Sequence, residues 1–164
     1  MASFDLTFES GTVAALVLEE ALHVVEARLE VEIRRSRLVY EVGAYDAEIR
    51  RRYVSLRQSG IELLFEEDRL RKVALYVRPP KPAYAKFNGT ISLLPDDFFK
   101  APSRERFVEA LRASGFAIWP KAYPYAVDLV SADLRVRYAD NPNTHCHVGI
   151  DDGSMLRQGS NGGG

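Results

Sequence analysis

The sequence predicts an α+β domain: an antiparallel β-sheet meander with two main helices packed on one face. Three observations carry this. Residues 12–32 and 103–114 place apolar side chains at helical spacing. Residues 53–78 alternate apolar and polar positions in short runs separated by turn residues, and residues 126–150 do so again. Strands joined by such short turns pair antiparallel.

Residues 4–9 alternate and suit a short strand. From Thr12 the pattern turns helical. Val13, Leu16, Val17, Ala21, Leu22, Val24, Val25 and Leu29 form a broad apolar face, with Glu19, Glu20, His23, Glu26 and Glu30 opposite. Ser10 or Thr12 is the expected cap. Leu38, Val39, Tyr40 and Val42 suit an extended segment, and Asp46 to Arg51 a helical turn.

The first meander runs from YVSLRQ through IELLFEE to KVALYVR. Ile61, Leu63 and Phe65 share one face of its middle strand, as Val73, Leu75 and Val77 do in the third, while Leu64 and Tyr76 stand on the opposite faces. Ser59-Gly60 forms the first turn, with positive φ available to the glycine, and Glu67-Asp68-Arg69 the second. Pro79, Pro80 and Pro82 cannot donate ladder hydrogen bonds and end the sheet path. Asn88-Gly89 marks a turn in the connection that follows.

Ser103 is the expected N-cap of the second helix and Gly115 the residue after its end. Leu134, Val136 and Tyr138 then alternate with Asp133, Arg135 and Arg137, and Cys146, Val148 and Ile150 face inward against outward His145 and His147. Residues 1–155 read as one domain and 156–164, rich in glycine, as a flexible tail.

Composition bounds function. The chain has 164 residues, 46% hydrophobic and 27% charged, which is ordinary for one globular domain. The formal charge is −1, from 22 basic and 23 acidic residues, so nothing global favours nucleic acid or an anionic membrane. Acidic residues lie between the basic knots Arg34-Arg35 with Arg37, and Arg50-Arg51-Arg52. Cys146 is the only cysteine, so no intramolecular disulfide forms. No basic segment with an apolar core opens the sequence, and no run of about 18 apolar residues occurs. A cytoplasmic protein is expected.

No nucleophile elbow, Walker loop or dinucleotide fingerprint is present. No cofactor is implied. His145 and His147, two apart on one strand face, are the candidate metal pair of an alternative small metal-dependent enzyme, with Asp151 or Asp152 as oxygen donors. The other readable features suit recognition. Glu62, Glu66, Glu67 and Asp68 place acid on the first meander and its tip, and Asp96 and Asp97 precede Phe98. Tyr123 and Tyr125 follow a Trp-Pro-Lys run. Acidic groups steer a basic partner, and aromatic loops anchor protein interfaces.

Two segments carry a family resemblance. SGIELLFEEDRLRKVALYVRPP has a strand ending in Leu-Phe, an acidic turn, and a second strand ending in an apolar residue and Tyr. SRERFVEALRASGFAIWPKAYPYAVDLVSADLRVRYADNPNTHCHVGI has a helix, a glycine break, a Trp near a Lys and a Tyr-rich strand pair. Over residues 52–150 the chain resembles bacterial polymorphic-toxin immunity proteins; its N-terminal third departs from that pattern. The resemblance implies a cytoplasmic, non-catalytic inhibitor that binds a cognate protein toxin and covers its active site. The acidic residues named above would then meet a basic catalytic cleft, with Phe98, Tyr123 and Tyr125 as anchors. An adaptor or chaperone for a secreted effector is the alternative within the binding class.

Overall fold

A computed structural model describes residues 2–36, 40–41, 50–80 and 82–154. The expected extended run at Leu38, Val39 and Val42, most of the turn from Asp46, and the 156–164 tail lie outside the described residues. The elements in chain order are β1 (Ser3–Thr7), β2 (Val13–Val17), α1 (Leu22–Arg28), α2 (Glu30–Arg35), β3 (Tyr40–Glu41), β4 (Arg51–Leu56), β5 (Ile61–Glu66), β6 (Arg69–Arg78), β7 (Thr90–Ile91), α3 (Arg104–Ala113), β8 (Ala117–Ile118), β9 (Ala126–Val130), β10 (Arg135–Asp140) and β11 (Cys146–Asp151). Strands β3-β4-β5-β6-β11-β10-β9-β8 form one antiparallel sheet in that order, and β2-β1-β7 a smaller one. The α+β class expected from the patterning is therefore the class observed.

The helix expected from Thr12 is corrected over its first half. Val13–Val17 is a strand, paired with β1 so that Leu16 faces Phe4 and Ala14 faces Leu6. Val13, Leu16 and Val17 fit a helical period while Ala14, Leu16 and Leu18, the residues buried here, fit a two-residue one, and the available partner strand decides between them. Gly11, at φ 88, lets the chain turn back after β1. Glu19 takes a left-handed φ of 71, which ends the strand. The helix starts only at Leu22, and Ser10 caps nothing there, because its hydroxyl bonds the Glu32 carboxylate. The α1 and α2 segments are nearly continuous through Leu29, whose carbonyl accepts from the Ile33 amide at 2.9 Å.

The second helix follows its sequence signals. The Ser103 hydroxyl accepts from the Arg106 amide at 3.1 Å, and Gly115 follows the helix at φ 91. A single apolar core joins the inner face of the large sheet to the small sheet and the helices. Val54, Leu63, Val73, Val148, Val136 and Leu129 line that face strand by strand, with Phe107 and Leu111 of α3 and Val25 of α1 against them. The two helical regions do share one side of the sheet, as expected, with the small sheet on that side too. The connection after the prolines, expected to hold a turn at Asn88-Gly89, also supplies β7 to the small sheet. No helix among the described residues is long and apolar enough to cross a membrane.

Candidate functional site

With the inner face closed, the chemistry gathers on the opposite face of the large sheet. The pairing registers fix its members: Tyr53 and Ser55 of β4, Glu62 and Leu64 of β5, Lys72, Ala74 and Tyr76 of β6, His147, Gly149 and Asp151 of β11, Arg135 and Arg137 of β10, and Asp128 of β9. Strand β6 carries one extra residue, since Leu64 faces Lys72 while Phe65 faces Leu70. This bulge turns Arg71 toward the acidic groups at the sheet end.

Two ion-pair networks occupy the ends of this face. At one end, Arg135 holds Asp151 through Nε at 3.0 Å, and Arg137 holds Asp128 through Nε at 2.6 Å and a terminal nitrogen at 2.9 Å. Asp128 and Asp151 are buried, and the planar fork of each arginine satisfies both oxygens of a carboxylate, which offsets the desolvation cost. The Tyr123 ring lies over Arg137, 4.7 Å from its guanidinium carbon, and shields the pair.

At the other end, Arg51 bonds Glu66 at 3.1 Å, and Arg71 approaches Glu66, Glu19 and Asp152. The hairpin tip belongs to this network. Glu67 and Asp68 adopt left-handed φ values of 49 and 59, forming a two-residue turn. Glu67 accepts from the Arg50 amide at 2.9 Å, and Asp68 pairs with Arg50 at 2.6 Å and Arg52 at 3.4 Å. The acidic tip and the basic knot at Arg50–Arg52, read separately in the sequence, thus neutralise each other. In the other basic knot, Arg34 pairs with Glu30 and Arg35 with Glu32.

Between the networks lies a groove of about 320 Å³ lined by Tyr53, Glu62, Leu64, Lys72, Ala74, Tyr76, His145 and His147. The His145 and His147 rings stack, with centroids 4.7 Å apart, and Tyr76 packs edge-on to both. His147 is not the exposed outward residue of the alternating pattern: only 9% of it is accessible, because Tyr76 and His145 cover it. Burial, and then the charge of Lys72, pulls the His147 pKa down to about 3, and His145 is lowered for the same reasons. Both rings are neutral near pH 7. Burial also lowers the Lys72 pKa and raises that of Tyr76. Among the described residues no cluster of three or more His, Cys, Asp or Glu side chains is placed to hold a metal. A lysine beside stacked imidazoles opposes a second cation. Cys146 faces the core, and burial raises its thiol pKa, away from nucleophilic use.

No family model, curated protein or solved structure matches the chain.

The recognition residues expected from sequence are therefore dispersed. Glu62 lines the groove, within 3.4 Å of the Ser55 and Tyr84 hydroxyls. Glu66, Glu67 and Asp68 belong to the tip network. Phe98 must be corrected: it is fully buried against Phe99, Phe107 and Tyr138 and is a core side chain, not a surface anchor. The turn before it stays at the surface, with Asp96 exposed and Asp97 bonded to Arg106 of α3 at 2.8 Å. Tyr125 is 49% exposed, and with Pro124, Tyr138 and Asp140 it borders a concavity of about 410 Å³ against the first turn of α3. Sequence reasoning missed Lys72, which carries no motif and stands out only because its neighbours across the sheet leave it unpaired. It also missed Ile118, 47% exposed on the edge strand β8.

Proposed function

We propose that this chain is a non-catalytic binding protein of the immunity type, one that covers the active site of a cognate protein toxin. The observation that carries the reading is the exposed Tyr125 ring beside the concavity against the first turn of α3. Ile118, 47% exposed on the edge strand β8, adds apolar surface toward the other end of β9, opposite Leu129. Isolated exposed apolar residues are ordinary, but an aromatic beside a concavity and an open sheet edge is the material of a protein interface. The acidic turn at Asp96 and Asp97 reaches the same helix end through Arg106 and would favour a basic partner surface. The polar face of the large sheet fits the non-catalytic reading, since most of its ionisable groups are spent on each other.

The test is co-expression with the product of the adjacent gene, read as growth and as a purified complex. Rescue of growth by the wild-type chain, lost in Ile118→Asp/Tyr125→Ala with an unchanged melting temperature, supports the proposal. A chain that neither rescues growth nor forms the complex overturns it.

A further inference from the structure

We propose that the groove between the two ion-pair networks binds a small monocarboxylic acid, with Lys72 as its counter-ion and the His147 ring as a hydrogen-bond donor. Charge pairing across the face points to it. Arg51 and Arg71 share Glu66, Arg135 holds Asp151, and Arg137 holds Asp128. Lys72 stands between them, half-buried, and makes no ion pair or hydrogen bond with any described residue. Asp151, directly opposite on β11, is already committed to Arg135. Asp151 and Glu62 act on this partly buried ammonium only through space, and a carboxylate guest in direct contact would offset its partial loss of water.

Lys72 and His147 meet over Gly149: a Cβ there would stand 3.2 Å from Lys72 Cε and 3.6 Å from His147 Nε2, so both side chains pack against the glycine, and the space for the guest is the groove that they line. The other ring nitrogen of His147, Nδ1, is buried and has no hydrogen-bond partner. Nothing accepts a proton from Nδ1, so the single proton of the neutral ring is free to sit on Nε2, beside Lys72. Lys72 and His147 both line the groove and can each donate to a carboxylate held there, and the Tyr76 ring supplies an apolar wall. Glu62 lines the far side, which opposes a dianion and favours a ligand with an amino group at its other end. The groove volume, about 320 Å³, suits a molecule of amino-acid size.

The test follows the histidine ring resonances by NMR while acetate, L-phenylalanine or inorganic phosphate is titrated at pH 7.5. The expected result is a saturable shift at His147 and His145 with L-phenylalanine, a weaker one with acetate, none with phosphate, and none at His23. Lys72→Met should weaken binding at least tenfold while melting above the wild type, because it removes an unpaired charge. His147→Gln should weaken it without abolishing folding. No saturable shift with either carboxylate, an equal shift in Lys72→Met, or a Lys72→Met variant that melts below wild type would each overturn the proposal. An acidic side chain of a protein partner carries the same carboxylate. Loss of complex formation in Lys72→Met, with both free acids silent, would therefore assign the groove to the partner and reject the small-molecule site.

Discussion

Gly60 lies against the backbone of Phe87: a Cβ on this glycine would stand 2.5 Å from the Phe87 nitrogen and 2.7 Å from the Ala85 carbonyl oxygen. Gly60 also has a left-handed φ of 70. The segment at 85–87 is pinned there by bonds from the Ala85 amide to the Arg57 carbonyl and from the Phe87 amide to the Tyr76 carbonyl. Backbone cannot yield as a flexible side chain can. Gly60→Ala should therefore cost about 3 kcal/mol or more, adding a backbone clash to the left-handed penalty. Gly115→Ala, with φ 91 and open space around the site, should show only the conformational part, about 1 kcal/mol. Urea denaturation of both variants measures the difference, and equal losses would refute the close-approach explanation.

Glu66 is held by Arg51 and Arg71, so the tip is structural as well as acidic. Glu66→Lys places a third cation in that cluster and should lower the melting temperature by several degrees. Adding Arg51→Glu should recover part of the loss, since the pair is then rebuilt in reverse. Each half-exposed pair is worth roughly 0.5–1 kcal/mol, and the effect should shrink in high salt. A fully stable Glu66→Lys protein would show that the network contributes nothing.

Acid should destabilise the fold through His147. The folded ring holds a pKa of about 3, depressed by burial and by Lys72, with His145 and Arg137 acting in the same direction. The unfolded chain takes up that proton near pH 6.5. Above this pH neither state binds it and the term is constant. As pH falls from about 6.5 toward 3, the unfolded state alone is protonated, so stability drops, by an amount on the order of a few kcal/mol. Melting curves between pH 4 and pH 8 should show this slope, and His147→Gln should flatten it. An identical slope in the variant would exclude the histidine as its source.

Cys146 should be inert in the native protein. It is only 2% exposed and its thiol pKa is raised, first by burial. A thiol-specific reagent at pH 8 should label it at the rate of unfolding, and quickly once denaturant is added. Rapid stoichiometric labelling without denaturant would show that this part of the sheet opens.

What the sequence determined by itself is the local alternation and its punctuation. Ile61, Leu63, Val73, Leu75, Val136 and Val148 point to the core because a two-residue period leaves them no other face. Ser103 and Gly115 bound their helix for reasons contained within one turn of chain. Tertiary structure decided the rest. Val13, Leu16 and Val17 fit a helical period and Ala14, Leu16 and Leu18 a two-residue one, and only pairing with β1 makes the segment a strand. Phe98 and Phe99 have no periodicity to show that α3 and Tyr138 enclose them. The groove is the least local feature. Lys72, His147 and Gly149 become neighbours because β11 inserts between β6 and β10, and Lys72 is left without a partner because Arg135 has already taken Asp151. Which charges are spent and which remain depends on contacts between residues far apart in the chain, and no local pattern records it.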